Sequence, residues 1–164
     1  MPVNTNHPDY TEFFPIWHRV TVVAKGTHWV KKEGFRLLPA EFAEEFPERY
    51  QRYLERAYVQ GVTGRTRDSL VGMVFRKPPT VDVPPEIENW LENIDGAGQS
   101  LEQVAKSKMK RLLENGRFAL LVDAPQMPEG ASAEDESAMD LRPTIVPYTA
   151  QNLINWRFEG VKGK

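Results

Sequence analysis

The sequence contains no cysteine among its 164 residues. This absence excludes disulfide bonds, thiolate zinc sites, iron–sulfur clusters and a cysteine nucleophile. It suits a reducing compartment, but secreted proteins can also lack cysteine. Histidine is scarce as well, with only His7, His18 and His28 present. No two of them stand four residues apart, so they cannot form the paired histidines of a helical metal site.

Long apolar runs and a strong charge imbalance are also missing. No apolar stretch approaches the roughly 20 residues of a membrane-spanning helix. Residues 1–10 lack the basic and apolar parts of a signal peptide. The formal net charge is −2, so an electrostatic partner would have to meet a local patch. The hydrophobic fraction of 40% and the charged fraction of 27% indicate a globular chain, and the length suits one domain, 1–164.

Apolar periodicity predicts helices in the first part of the chain. Apolar residues at spacings of three and four predict a helix from Pro8 that ends near Gly26. Pro15 lies inside this pattern, so a break or kink is expected there. Residues 31–40 are predicted to be a connection, and a second helix is predicted from about Pro47.

Glycine and proline divide the middle of the chain. Gly61 and Gly64 are expected to interrupt the helical pattern, which resumes over residues 70–75 and stops at a pair of prolines. Residues 84–95 are predicted to form one short helix, because prolines precede an apolar stripe at helical spacing.

A capping box marks the start of the next helix. Ser100 supplies the hydroxyl group that caps a free backbone amide, and Gln103 reaches back to the start of the helix. Asn115-Gly116 is typical of a left-handed helix end.

Short strands are predicted in the last third of the chain. Residues 118–123 are predicted to be a buried strand, and residues 144–148 and 153–158 two further strands. Residues 126–140 are small, acidic and without a pattern, which indicates a mobile loop. The predicted fold class is therefore α+β, with N-terminal helices followed by a small β-sheet.

Two basic clusters are the candidate contact sites. They contain Arg65, Arg67, Arg76, Lys77, Lys106, Lys108, Lys110 and Arg111. The first four flank residues 70–75, and the other four line the capped helix. Such clusters can contact the phosphates of DNA, or acidic groups of a neighbouring subunit.

Catalytic signatures are sparse. Asp123 is the best single candidate for a catalytic or Mg²⁺-binding carboxylate, because it ends a predicted strand. No second acid is placed beside it by spacing, and it can equally be a turn residue before Pro125. The glycines of residues 61–66 lack the lysine of a P-loop, and those of residues 95–100 follow a helix and lack a third glycine. We therefore expect no enzyme activity and no cofactor.

A set of short blocks in one order carries a resemblance to a known family. The longest block runs from Gly64 to Pro79, GRTRDSLVGMVFRKPP. The other blocks are His7-Pro8-x-Tyr10 with Trp17, Tyr53-Leu54-x-Arg56-Ala57, Asn93-Ile94-Asp95-Gly96-x-Gly98-x-Ser100-Leu101, Asn115-Gly116-Arg117, Leu120-Leu121-Val122-Asp123-x-Pro125, Arg142-Pro143 and Ile154-Asn155-Trp156-Arg157. In these blocks, which cover nearly the whole chain, the sequence resembles portal-type proteins of tailed phages and prophages.

The resemblance implies a mechanical function. Portal subunits assemble as a ring of about a dozen copies at one vertex of the capsid. The ring conducts double-stranded DNA and is the seat of the terminase and of the tail adaptor. This chain would then be the N-terminal (wing) region of a longer subunit, located in the virion and, during assembly, in the host cytoplasm. Its partners would be copies of itself, capsid, terminase and tail-adaptor proteins, and the DNA in the channel.

Two alternatives remain open from the sequence. The chain could be a stand-alone phage assembly or DNA-binding accessory module that uses the basic helix at residues 106–111. It could also be a hydrolase or nuclease that uses Asp123.

Overall fold

The computed structural model describes residues 4–125 and 142–157 of the chain. The helices are α1 (Pro8–Lys25), α2 (Thr27–Glu33), α3 (Pro47–Arg56), α4 (Val62–Val74), α5 (Pro85–Glu88) and α6 (Leu101–Asn115), with 3-10 turns at Gly34–Arg36 and Asn89–Asn93. The strands are β1 (Phe118–Asp123) and β2 (Thr144–Thr149). Helices followed by a small sheet confirm the α+β class predicted from the sequence.

Helix α1 begins and ends where the sequence predicts. His7 Nδ1 accepts a hydrogen bond from the Asp9 amide at 3.2 Å, and Gly26 ends the helix with a φ of 94°. The break predicted at Pro15 is wrong, because α1 continues through it. Proline removes the amide that would bind the carbonyl of Thr11. Both residues are exposed, so water can bind that carbonyl instead.

Helix α2 occupies part of the segment that was predicted to be a connection. The prediction for residues 31–40 is therefore wrong up to Glu33. Gly26 ends α1 and also precedes α2, so the chain turns at a single residue and becomes helical again. The hydroxyl group of Thr27 anchors the new helix: it accepts from the Val59 amide at 3.1 Å and donates to the Val59 carbonyl at 3.2 Å.

Helix α3 begins at Pro47 as predicted, but α4 begins earlier than predicted. It starts at Val62 and runs through Gly64, so the expected interruption at Gly64 is wrong. Gly64 is buried, and a Cβ at this position would lie 2.6 Å from the carbonyl oxygen of Ala24. The glycine therefore permits close helix packing and does not break the helix.

Residues 84–95 fold into two short pieces where the sequence predicts one helix. A single α-turn at Pro85–Glu88 continues as a 3-10 helix at Asn89–Asn93. The capping box that begins α6 is confirmed by reciprocal hydrogen bonds: the Gln103 amide donates to Ser100 Oγ at 3.3 Å, and the Ser100 amide to Gln103 Oε1 at 3.0 Å. The left-handed end at Gly116, with a φ of 72°, is also confirmed.

The sheet contains one antiparallel pair of strands. It extends from the Phe118–Thr149 pair to the Asp123–Thr144 pair, so the first two predicted strands are confirmed. The predicted burial of β1 is wrong: Leu121 is 48% exposed and Val122 67%. The reason is that few described residues cover the outer part of this strand.

The predicted third strand does not form over residues 153–157, and Phe158 lies outside the described residues. This segment packs against the start of α1 instead, where the His7 amide donates to the Ile154 carbonyl at 2.9 Å. The loop predicted at residues 126–140 also lies outside the described residues.

The core is small and joins the two ends of the chain. Tyr10 and Trp17 of α1 pack with Ala150, which is fully buried, and Phe14, Ile154 and Trp156 pack around them. The hydroxyl group of Tyr10 donates to the Gln151 carbonyl at 2.8 Å. Helix α1 also packs against α2, α4 and α6, and α4 packs against α6. This packing brings the two basic clusters together.

Candidate functional site

Helices α4 and α6 build an ion-pair network from residues of both basic clusters. Arg67 bonds to Asp68 at 2.9 Å and to the carboxylate of Glu114. Lys110 lies 3.2 Å from Asp68, and Arg111 lies 2.9 Å from the second oxygen of Glu114. Three cations and two carboxylates therefore connect the helices. Spacing could not predict this network, because Arg67 and Glu114 are far apart in the sequence.

Burial makes Glu114 the centre of the network. Only 2% of its side chain is exposed, so its charge requires close partners. Burial by itself lowers the pKa of Arg67, but hydrogen bonds and the charges of Glu114 and Asp68 outweigh it and raise that pKa. Burial by itself raises the pKa of Asp68, but hydrogen bonds from Lys110 and Arg67, together with their charges, outweigh it and lower that pKa. Folding therefore favours the charged forms of Arg67 and Asp68.

The other two basic residues of α6 also contact this chain. Lys106 pairs with Glu102 one turn earlier and lies 5.8 Å from the centre of the Phe75 ring. Lys108 is half-buried, and burial, followed by the charge of Arg111, lowers its pKa. It borders an open apolar groove of about 300 Å³ between α6 and the sheet.

Three of the eight basic candidates remain exposed. Arg65 Nε donates to the Gly61 carbonyl at 3.4 Å. Arg76 and Lys77 follow the end of α4, and neither has an ion pair within residues 4–125 and 142–157. A lysine or arginine whose charge is already neutralised by an acid of the same chain contributes less to binding a phosphate. The structure therefore favours a structural role for the paired cations and leaves Arg76 and Lys77 accessible to a partner.

The histidines lie apart, each beside aromatic or charged neighbours. His7 stacks on Trp156 with 4.1 Å between ring centres. His18 Nε2 lies 3.0 Å from Glu33, and the exposed His28 lies beside the ring of Trp29. His7 also caps α1, so its two contacts belong to helix capping and packing.

Asp123 is exposed at the end of β1. Across the described residues, no group of three or more histidine or acidic side chains is placed to hold a metal ion. In the same part of the chain, no helix combines the length and the apolar character that crossing a bilayer requires.

An aromatic stack around Arg117 was missed by the sequence analysis as a site. Its guanidinium lies 3.8 Å from the centre of the Trp156 ring and 5.5 Å from that of Trp17. Burial lowers the pKa of Arg117, and the charge of Asp9 partly offsets this effect. The stack borders an open cleft of about 370 Å³ that Phe13 also lines. The signal available in the sequence was only that Arg117, Trp156 and Trp17 all belong to the short blocks singled out in the sequence analysis.

Other residues of the short sequence blocks form hydrogen bonds within turns and between segments of the chain. Arg142 donates to the Asn93 carbonyl at 2.6 Å, which joins the start of β2 to the turn before α6. The Asp95 carboxylate accepts from the amides of Gln99 and Ala97 at 3.0 and 2.9 Å, and these bonds lower its pKa. These residues hold turns and connections in place, a structural role.

Apolar side chains are abundant on the surface. Among the described residues, 17 large hydrophobic side chains are exposed, whereas eight hydrophobic residues are buried. The exposed set includes Leu70, Met73 and Val74 of α4 and Leu120, Leu121 and Val122 of β1. Large exposed apolar areas mark surfaces that bind a partner.

Compared with models of known protein families and with curated proteins, the chain matches none of them.

Proposed function

We propose that this chain is the N-terminal region of a portal-type structural subunit. Its copies would form a ring at a capsid vertex, through which viral DNA is packaged and to which the tail is joined. The proposal rests on the resemblance of its sequence blocks to portal proteins. The observation in the structure that supports it best is the large apolar area on α4 and β1.

The distribution of that area suits lateral assembly. Met73 is 71% exposed and Val74 is 55% exposed at the end of α4, and Val122 is 67% exposed on β1. A ring needs two different surfaces on each copy that bind each other and close by rotation. Exposed apolar side chains on two different elements of one chain, α4 and β1, can supply such surfaces.

The polar network supports the same function. Half of the eight basic candidates pair with acids inside this chain and so stabilise its own helices; these are Arg67, Lys106, Lys110 and Arg111. Such pairing favours a structural subunit over an accessory protein that binds DNA through α6. The other four form no ion pair among the described residues, and two of them, the exposed Arg76 and Lys77 after the end of α4, remain available to a neighbouring subunit.

The first test is the mass of the assembly in solution. Light scattering on a size-exclusion column should be measured for this chain and for a longer chain that carries it at the N terminus. We expect the longer chain to have one fixed mass of about a dozen copies across a wide concentration range, because a ring closes. A mass that rises steadily with concentration would indicate non-specific association, and a monomer at all concentrations would contradict the proposal.

A variant of the apolar surface sharpens this test. Val122→Asp places a charge on an exposed apolar position and should reduce the assembly without changing the helical circular dichroism signal. Gln60→Asp, at another exposed position, is the matched control and should leave the mass unchanged. Equal effects of the two variants would argue against an interface at β1.

A further inference from the structure

One edge of the sheet is closed. The Ile145 amide of β2 donates to the Ile94 carbonyl at 2.9 Å, and the Thr149 carbonyl accepts from Asn152 at 3.1 Å. Pro147, between them, has no amide hydrogen. The outer edge of β2 is therefore occupied by bonds within the chain or blocked by proline, which is the usual protection of an edge strand.

The opposite edge of the sheet has no partner strand among the described residues. Opposite residues of two antiparallel strands alternate between two kinds of pair. In one kind the backbone amides and carbonyls bond each other, and in the other kind they point toward the outer edges of the sheet. The backbone groups of Ile145 and Pro147 face away from β1. The backbone groups of their partners Val122 and Leu120 therefore face away from β2. The backbone groups of these β1 residues, and of Phe118, have no backbone partner among the described residues. Strand β1 therefore presents a free row of donors and acceptors beside exposed apolar side chains.

A second segment of the same chain is equally unpaired among the described residues. Residues 78–84, which we call the arm, connect α4 to α5 and have no helix or strand structure. The arm is exposed apart from a half-buried Val83. Thr80, Val81, Asp82 and Val83 make no backbone hydrogen bond with other described residues. Their alternating pattern, between two pairs of prolines, is that of a four-residue strand.

We propose that the arm of one copy adds as an antiparallel strand to the open edge of β1 in the neighbouring copy. This inference rests on the proposed assembly and names the contact that would join adjacent subunits. Strand addition satisfies the free backbone groups of both segments at once. It also covers the apolar side chains at the edge of β1, which otherwise remain in water.

Charge favours the antiparallel direction. Arg76 and Lys77 stand before the arm, and Glu86 stands after it, all exposed. Strand β1 is preceded by Arg117 and ends at the exposed Asp123. Antiparallel pairing places Lys77 near Asp123 and Glu86 near Arg117, whereas parallel pairing would bring like charges together. This use of Arg76 and Lys77 explains why they are free of ion pairs within the described chain.

The contact is heterologous, because the donor and the acceptor are different segments. Repetition of such a contact from copy to copy forms a ring or a filament, whereas two β1 edges that paired with each other would form a closed dimer. The prolines limit the added strand to about four residues, so it covers about four residues of β1 and pairs with two of the three outward-pointing ones. The new contact is thus short, and other surfaces of the assembly must add to it.

Cross-linking between single-cysteine variants tests the inference, since the chain has no cysteine of its own. One protein carries Val81→Cys, and a second protein with a tag of different mass carries cysteine at one β1 position. Ala119→Cys, Leu120→Cys, Leu121→Cys and Val122→Cys are compared in turn. After mixing and mild oxidation, we expect mixed disulfide dimers with a maximum at one position and low yields at its direct neighbours. Disulfides require Cβ atoms about 4 Å apart, so only one face of the strand can react.

A matched control separates strand pairing from random collision. Tyr58→Cys replaces a side chain that is 76% exposed and lies outside the arm. It should give no position-dependent disulfide with β1. Yields that are uniform along β1, or equal for Val81→Cys and Tyr58→Cys, would overturn the inference. A chain that carries both Val81→Cys and the best β1 cysteine, and that closes on itself at high dilution, would also overturn it, because the arm would then pair with its own strand.

Light scattering on the same samples separates this inference from the proposed function. A ring that forms without cross-links would overturn strand addition alone. Cross-links in an assembly of two copies would support strand addition and contradict the ring.

Charge reversal adds a second readout: Lys77→Glu or Asp123→Lys alone should reduce the cross-linking yield several-fold, and the two changes in one chain should restore it.

Discussion

Gly64 of α4 lies so close to Ala24 of α1 that a Cβ at position 64 would lie 2.6 Å from the Ala24 carbonyl oxygen. Real Cβ atoms do not approach backbone oxygens at this distance, so α1 and α4 meet here because position 64 has no side chain. Val71, two turns further along α4, is 5% exposed. The absence of one methyl group thus determines how closely the two helices pack.

Gly64→Ala should destabilise the protein. The added methyl group has to push α4 away from the backbone of α1, and such overpacking costs about 1–3 kcal/mol in the free energy of unfolding. Denaturant unfolding followed by circular dichroism measures this loss.

Gly72→Ala in the same helix is the control for this prediction. Gly72 is exposed, and a Cβ there would have no atom within 4 Å. Alanine should raise the free energy of unfolding by about 0.5–1 kcal/mol, because it restricts the unfolded chain and favours a helix. Stabilisation by both substitutions would contradict the close approach at Gly64.

Arg67→Gln should destabilise the protein by removing a partner of the buried Glu114. We expect a loss of about 2–4 kcal/mol in the free energy of unfolding, moderated because Arg111 stays as a second partner. Arg65→Gln, at an exposed position of the same helix, should change it by no more than about 0.5 kcal/mol. If Glu114→Gln in the Arg67→Gln background fails to recover any stability, the ion pair is not the cause of the loss.

Local sequence chemistry predicted the ends of helices well. The end of α1 at Gly26, the capping box at Ser100 and Gln103 and the left-handed end at Gly116 are all found in the structure. Each of these features depends on residues within one helical turn, so the sequence contains the whole cause. The strands over residues 118–123 and 144–148 were also predicted from short apolar runs, whereas their antiparallel pairing was not.

Features that depend on distant residues were not predictable. Gly64 has the same sequence signature whether it breaks a helix or permits a close approach, and only the position of Ala24 decides between them. The apolar pattern of β1 indicates burial, but what covers a strand is decided by other elements. The candidate site shows the same limit: the basic residues were found in the sequence, whereas the partner Glu114 was not, because burial of a charge requires the fold.

The Asp68 carboxylate should make stability depend on pH. Its pKa in the folded protein is lowered by Lys110 and Arg67, so folding favours its ionised form. This contribution is fully present above the pKa of about 4 in the unfolded chain, and it is lost as the pH falls through the lowered folded pKa. Because the side chain is 49% exposed, the contribution is at most about 1 kcal/mol.

Asp68→Asn tests this dependence. The variant should be less stable than the parent protein at pH 7, and the difference should shrink below about pH 4. Raising the salt concentration to about 1 M at pH 7 should shrink it as well, because exposed ion pairs are screened. A difference in the free energy of unfolding that stays constant across pH and salt would show that Asp68 acts through hydrogen bonding or packing alone.

The contact of Arg117 with Trp156 should couple the last described segment to the start of β1. A double-mutant cycle with Arg117→Ala and Trp156→Ala should give a coupling free energy of about 1–2 kcal/mol, because the guanidinium is partly removed from water. Lys25 and Trp29 provide the matched pair: the ammonium group lies 4.4 Å from the ring centre, but both side chains are exposed. Their coupling should be at most about 0.5–1 kcal/mol. Equal coupling in the two cycles would mean that burial adds nothing to the Arg117 stack, and the contacts of this segment with Tyr10 and His7 would then be what holds it.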